Sequence, residues 1–457
     1  MGDPMSGQES YDCIVIGGGP AGSTVATLLA QYGHRVALFE QHRFPRHHIG
    51  ESLMPETYWT FQRLGMLEKL RKTAFPLKES VQFVSAAGQE SQPFYFWDRD
   101  PNEWSITWQV RRDEFDRMML DNTREQGAEV HEGVRVKEVL FEDGRAIGIR
   151  TAMNRGPCQG PPSAAAGIPD NGEVEHGHAK RGHATQTTDV HANVVVDATG
   201  ICGLLSKQLG LRYGDAQLKN AAVYAYFENA QRDKGRNAGA TIIIHTLNRN
   251  GWFWFIPLPD EITSIGVVGP PSYLCTGRGD NPLATLEEEI ADCPAMAGRL
   301  TNATRVSGAY VTSDFSYRSR QLAGEGWVMV GDAFCFLDPI YSSGVMLALK
   351  SGEWAADAIH DALEAGDCSA ARLGAFGPRF VHGVQMIRQL VYAFYDKNFS
   401  FAAFTRAHPE YHDHLTRILI GDVFNGEVAK LFDVMKNWTA LPDAIAVESA
   451  NARVASE

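Results

Sequence analysis

The sequence predicts an α/β fold: a Rossmann-like dinucleotide-binding domain, an antiparallel-sheet domain inserted on the substrate side, and a C-terminal helical region. Three observations lead there. Tyr11-Asp-Cys-Ile-Val-Ile-Gly-Gly-Gly-Pro-Ala-Gly22 runs a short apolar strand straight into a glycine loop that opens a helix. Between Ala221 and Gly269, strand-like stretches follow one another without a helix. Near the C-terminus, Val381, Val384, Ile387, Val391 and Phe394 recur at helical spacing.

The 457 residues leave room for two or three packed units, and 44% hydrophobic content is ordinary for a globular enzyme. Forty-two Lys and Arg against 55 Asp and Glu give a net charge of −13, which argues against a nucleic-acid partner. The seven cysteines show no metal or disulfide spacing, so a reducing, cytoplasmic setting is expected and no metal is assigned. There is no apolar run of membrane-spanning length, and the start does not read as a secretory leader.

Taken in order, Gly17, Gly19 and Gly22 fit Gly-x-Gly-x-x-Gly. The first glycine allows a tight turn, the second lets the backbone approach a pyrophosphate, and the third lets helix pack on strand. Pro20 and Ala21 begin a helix whose N-terminus faces the phosphates. Glu40, eighteen residues past Gly22, ends the next apolar run with Gln41 after it, where an acid can accept from a ribose hydroxyl. The polar loop from Arg43 to Pro55 is a candidate cofactor cover, through Arg46, Ile49, Gly50, Glu51 and Ser52. A helix over 55–72 follows, with Gly65 as an interruption. Lys78 sits where a strand begins after Pro76; on composition alone it reads as a solvated strand end. Phe94 to Trp97 and Trp104 to Trp108 are aromatic strand-like runs. Arg111 and Arg112 stand at a helix entrance, where they could hold phosphate. Stretches 129–136 and 139–151 read as strands with a turn at Glu142-Asp-Gly144, and Val136 is placed on the cofactor side. Residues 154–189 have almost no large apolar side chains and read as a flexible insertion. Its His176, His178 and His183 lack the partners a metal site would need.

The apolar run from His191 to Gly200 is a second strand-to-loop edge, placing Asp197, Ala198 and Gly200 at the same crevice. Within the inserted sheet, Trp252-Phe-Trp-Phe-Ile-Pro257 puts Trp252, Trp254 and Ile256 on one face and Phe253 and Phe255 on the other. Gly326 to Ala333 is a further buried strand closing on Gly331-Asp332, where the acid can accept from ribityl hydroxyls. Leu337-Asp-Pro-Ile-Tyr-Ser-Ser-Gly344 then enters a helix whose free N–H groups suit an anion. The expected division is 1–75, 109–217 and 320–370 for the cofactor domain, 76–108 and 218–319 for the inserted sheet, and 371–457 for the helical region.

Gly17 to Gly22, Glu40 and Gly331-Asp332 together resemble flavoproteins built like aromatic-ring hydroxylases, which implies FAD in the first site. Gly50-Glu-Ser-Leu-Met-Pro55 looks like the flavin-covering strap of the flavin-dependent halogenases. Trp252 to Pro257 matches their Trp-x-Trp-x-Ile-Pro signature, and Asp338-Pro-Ile-Tyr-Ser-Ser-Gly344 resembles their halide loop, with Pro339 beside the cofactor. The resemblance implies a two-component enzyme that receives FADH2 from a separate NAD(P)H-flavin reductase and uses O2 and chloride or bromide to make hypohalous acid. It implies that Ser343 and Gly344 hold the halide. Trp252, Trp254, Ile256 and Pro257 then separate flavin from substrate, and Lys78, at the family's spacing before Phe83, relays the oxidant as a hydrogen-bonded species or a haloamine. Tyr341 replaces the glutamate of the tryptophan-acting branch and lies on the substrate side; with the strap it points to a phenol or an aromatic ring tethered to an acyl or peptidyl carrier protein. Asp197-Ala-Thr-Gly200 departs from the Asp-Gly of self-reducing hydroxylases, in keeping with an external reductase. The competing readings are an aromatic monooxygenase or prenyl-reductase-like oxidoreductase on the same fold, and a non-catalytic flavoprotein.

Overall fold

The structure, a computed structural model, describes residues 10–153, 187–278, 281–313 and 316–445. Its first sheet is organised around the strand Ser10–Ile16, which pairs in parallel with Val36–Glu40 on one side and Thr187–Asp197 on the other. Glu129–Glu132 and Trp327–Met329 extend the parallel set outward. Register brings Ile16 opposite both Phe39 and Asp197, and Asp197 opposite Met329. Four strands therefore end together, and the loops that follow them share one crevice, as parallel α/β sheets require. The helix Pro20–Gln31 packs against Arg112–Glu125 and Ser343–Glu364. Gly352 permits the second of these contacts, since a Cβ there would lie 2.8 Å from the Ala21 carbonyl oxygen.

The second sheet runs Thr304–Arg305, Ala221–Glu228, Ile262–Gly269, Trp252–Pro257, Thr241–His245, Ser80–Val84, Phe94–Tyr95. It is antiparallel except that Thr241–His245 lies parallel to Ser80–Val84. The chain reaches those two strands from the cofactor-side sheet on separate passes, so no hairpin forces them to oppose. Helices Pro271–Leu274, Pro282–Ala291 and Pro294–Arg299 supply Leu274, Leu286 and Met296 to cover the face bearing Phe253, Phe255, Ile265 and Val267. Trp252, Trp254 and Ile256 on the other face join the core beneath the C-terminal helices Gly377–Tyr395, Phe401–Ala407, His412–Ile420 and Ala429–Met435. No helix among the described residues is long and apolar enough to cross a membrane.

Several local expectations are corrected. The 55–72 helix divides into Thr57–Arg63 and Leu67–Leu70 around Gly65, whose φ of +71° ends the first segment. The aromatic runs shrink to Phe94–Tyr95 and Thr107–Trp108, with a 3-10 turn at Glu103–Ser105, because their rings pack between elements instead of along a sheet. The strand break falls at Gly133, giving Glu129–Glu132 and then a hairpin, Val134–Glu142 with Arg145–Met153. That hairpin closes on Asp143 and Gly144, both at positive φ. Residues 187–189 of the expected insertion belong to a strand, paired with 150–152. The rest of the insertion, with His176, His178 and His183, lies outside the described residues.

Candidate active site

The converging strand ends enclose a cavity of about 370 Å³. Of the residues assigned to the cofactor from sequence, Gly17, Gly19, Pro20, Ala21, Glu40, Gln41, Arg46, Ile49, Gly50, Arg112, Val136, Ala198, Gly200, Asp332 and Gly344 line it. Gly22, Glu51, Ser52, Gly331 and Pro339 stand outside its lining. Gly22 and Gly331 are packing positions: a Cβ on Gly22 would fall 1.9 Å from the Gly17 carbonyl oxygen, and one on Gly331 would fall 3.1 Å from the Ala21 Cβ. Pro339 starts the short turn Pro339–Tyr341. His47, His48 and Thr199 also line the cavity and were not singled out; their position in the strap or directly after a strand end was the available signal.

The lining fits a dinucleotide. Gly17 holds φ +105°, and a Cβ there would meet the Ala198 carbonyl oxygen at 2.4 Å, so the loop stays open only with glycine. The Glu40 carboxylate accepts from the Gly18 and His42 backbone N–H groups, each at 2.8 Å, which fixes it at the cavity wall with lone pairs left for a hydroxyl. Arg46 carries a cation to the mouth of the glycine loop, 3.3 Å from Asp116. Burial pushes the Asp332 carboxyl up to about 7, against the opposing pull of Arg112.

Arg112 lines the cavity and also clamps the strap. Its guanidinium is bidentate to Asp116 at 2.7 and 3.0 Å and donates to the Ile49 and Gly50 carbonyls at 2.6 and 3.2 Å. Its neighbour Arg111 turns away and pairs with Asp113. Gly50 holds φ +105°, which favours glycine, and a Cβ there would sit 2.8 Å from Arg112 Nη1.

Beyond Gly50 the strap leaves the cavity and crosses the second sheet, which explains where Glu51 and Ser52 go. Tyr226 donates to Glu51 at 2.8 Å, and burial pushes that carboxyl up to about 7. Ser52 Oγ lies 2.8 Å from Thr241 Oγ1 and accepts from Lys78 Nζ at 2.9 Å; the same amine donates to the Leu53 carbonyl at 2.9 Å. Gln109 donates to Thr241 and to the Gly239 carbonyl, both at 2.9 Å. Lys78 is therefore buried, 3% exposed, and is not the solvated strand end its composition suggested. The short ladder Leu77–Lys78 with Thr107–Trp108 holds its backbone, and Phe96 lies beneath its amine, Nζ 5.8 Å from the ring centroid. Desolvation brings its amine down to about 7.

The signature strand Trp252–Pro257 pairs with Thr241–His245, whose Thr241 meets Ser52, the partner of this amine. Trp254 reaches across Gly266 to Tyr224; a Cβ on Gly266 would lie 2.3 Å from the indole. Trp254 Nε1 donates to Ser264 at 3.1 Å, and Ile256 and Pro257 pair in register with Ser264 and Thr263. Trp252 Nε1 donates to the Tyr395 hydroxyl at 2.9 Å, which donates to Asp338 at 3.0 Å. Asp338 also accepts from Asn220 and from the Ile340 N–H, and burial raises it to about 7. Thus Trp252 and the loop entering helix Ser343–Glu364 are tied through Tyr395, a residue that sequence reasoning missed and whose only signal was its place at the end of a helix. Tyr341 is buried and donates to the Leu390 carbonyl at 3.3 Å; Ser343 is buried, and Gly344 opens on the cavity.

The tryptophan halogenase family model matches residues 12–97 and 165–430. A 1H-pyrrole-2-carbonyl-(peptidyl-carrier protein) chlorinase of Pseudomonas fluorescens is 31% identical over 94% of this chain and 94% of its own. The corresponding brominase of Pseudoalteromonas luteoviolacea is 30% identical, covering 95% and 97%. Among solved structures, a flavin-dependent brominase superposes with a TM-score of 0.78 at 28% identity, covering 94% of this chain and 99% of that one. The myxobacterial chondrochloren halogenase, an FAD-dependent enzyme, gives 0.74 at 33%, covering 91% of each.

Proposed function

The chain belongs to the tryptophan halogenase family and is a flavin-dependent halogenase; from that premise we propose that it halogenates a pyrrole-2-carbonyl-type ring tethered to a peptidyl-carrier protein. The observation that carries the mechanism is the buried Lys78 amine, hydrogen-bonded through Ser52 to the strap that also borders the cofactor cavity. The substrate class is supported by the two relatives named for carrier-bound pyrrole, each aligned along nearly the whole chain, and by Tyr341 in place of the glutamate.

In this reading 1–75, 109–217 and 320–370 form the FAD-binding part. The start of helix Pro20–Gln31 and Arg46 hold the pyrophosphate, Glu40 the ribose, and Asp332 the ribityl chain. FAD, delivered reduced by a separate flavin reductase, supplies with O2 the two-electron oxidation of halide to hypohalous acid. Backbone N–H groups at Ser343 and Gly344 hold the halide at the helix N-terminus. Trp252, Trp254, Ile256 and Pro257 form a wall that keeps the substrate ring from the cofactor. Lys78, poised near neutrality, offers a lone pair to the oxidant: the amine and HOX give a haloamine and water, with nitrogen replacing oxygen on the halogen. The haloamine passes its halogen to the ring carbon, the ring loses one proton, and the free amine returns.

Reconstitution with a flavin reductase, NADH, FAD, oxygen and bromide tests this. Brominated carrier-bound pyrrole is expected only when every component is present. Direct oxidation of NADPH without the reductase, or an oxygenated product with no halide requirement, would favour the monooxygenase reading.

A further inference from the structure

A second cavity, of about 660 Å³, opens beside the signature strand at its Trp252 end. Trp252, Phe394 and Tyr395 line its inner part, and Lys219, Arg249 and Lys397, all exposed, bring three cations to it. In a chain of net charge −13 such a cluster is conspicuous. Neither Lys219 nor Arg249 forms an ion pair among the described residues, and Lys397 meets only the neutral amide oxygen of Asn250. The nearest acid in sequence, Asp396, is occupied by Thr439 and the Asn398 N–H.

Two features of the loop beside this cavity point outward. Leu247 is 51% exposed, and Asn248 and Arg249 hold φ of +62° and +55°, a conformation that side chains other than glycine rarely adopt. Thr246 fixes the loop by bonding both ways with Gly251. Its inner wall joins the aromatic cluster around Trp252. Phe394 stacks on His245 at 5.4 Å and also contacts Trp252, Phe83 and Tyr341, while Tyr395 bonds Trp252 to Asp338.

We infer that this cavity is the port for a carrier protein's phosphopantetheine arm. The arm's phosphodiester sits against Lys219, Arg249 and Lys397, its pantetheine chain lies along Trp252 and Phe394, and Leu247 seats on the carrier's surface. Cations of this kind recognise phosphate through charge-assisted hydrogen bonds, and a cluster on an otherwise acidic protein selects for an anionic partner. Phe394 is the side chain that must yield for the tethered ring to pass toward Tyr341. The inference rests on the carrier-tethered reading above and adds where the carrier binds.

The test uses a fluorescently labelled peptidyl-carrier protein whose phosphopantetheine bears a pyrrole-2-carbonyl group, titrated with full-length protein in polarisation assays. The variant is the triple reversal Lys219→Glu, Arg249→Glu, Lys397→Glu, with FAD absorbance and thermal midpoint reporting its fold. Binding to the triple variant is expected to weaken at least tenfold, and binding to the wild type to fall as salt rises. Equal affinity of the two proteins would overturn the port. Halide-dependent halogenation of the carrier-bound pyrrole by the wild type, with flavin reductase, is followed in parallel. If it proceeds while the triple variant binds the carrier undiminished, the port alone falls. If it fails while reversal abolishes carrier binding, the port stands and the carrier-bound pyrrole reading falls.

Discussion

Replacing Lys78 with methionine should make the protein more stable at neutral pH while removing its chemistry. Burial brings the amine from 10.5 to about 7, which corresponds to a destabilisation of ~5 kcal/mol whenever the unfolded lysine is protonated and the folded one is at or below its own pKa. Methionine fills a similar volume without charge. Against that gain stand two hydrogen bonds, to Ser52 and Leu53, together worth about 2 kcal/mol. Lys78→Met should therefore be more stable than wild type by ~2–3 kcal/mol at pH 7. The sign of the pH dependence follows from the depressed amine. Between about 7 and 10.5 the unfolded chain holds a proton that the folded chain lacks, so wild-type stability rises with pH and the penalty is gone by the upper end. The advantage of the variant should shrink through this window and reverse near about pH 9, where the penalty no longer exceeds the lost hydrogen bonds. Urea unfolding of both apoproteins at a series of pH values measures it. A variant less stable than wild type at pH 7, or a difference constant with pH, would show that Lys78 is not held in the desolvated site described.

The same amine should leave its mark on turnover: if the neutral form accepts the halogen, kcat rises through about pH 7 and then levels, whereas a fall with pH would assign the work to the ammonium. Gly17→Ala should lose bound flavin, read as an FAD affinity at least tenfold weaker by absorbance titration, because its Cβ would stand 2.4 Å from the Ala198 carbonyl at φ +105°. Gly266→Ala pushes on the Trp254 indole at 2.3 Å and should lower stability by about 1–3 kcal/mol. It should also divert oxygen toward peroxide, measured as the ratio of peroxide to halogenated product.

What the sequence made legible was mostly local. The glycine loop, Glu40, Asp332 and Trp252 to Pro257 are read from contiguous residues whose period and turn chemistry are set by near neighbours, and the structure brings the strand-end residues to one cavity. Lys78 is different. Nothing around it in the chain marks it as buried; its environment comes from Ser52, Leu53 and Phe96, and only a family resemblance pointed to it. Arg112 lines the cavity and is also bound to Asp116 and the strap, a second attachment that composition cannot reveal. The bond from Trp252 to Tyr395 spans 143 positions, and the parallel pairing of Ser80–Val84 with Thr241–His245 joins separate passes of the chain. Both are consequences of packing, where periodicity carries no information.

Mass spectrometry of a pyrrole-2-carbonyl-loaded carrier, incubated with flavin reductase, NADH, FAD, oxygen and bromide, tests the central assignment most directly when wild type and Lys78→Met are compared at equal flavin content. The wild type should add the bromine isotope doublet to the ring and the variant should add none. A brominated product from Lys78→Met, or an oxygenated but unhalogenated ring from the wild type, would contradict it.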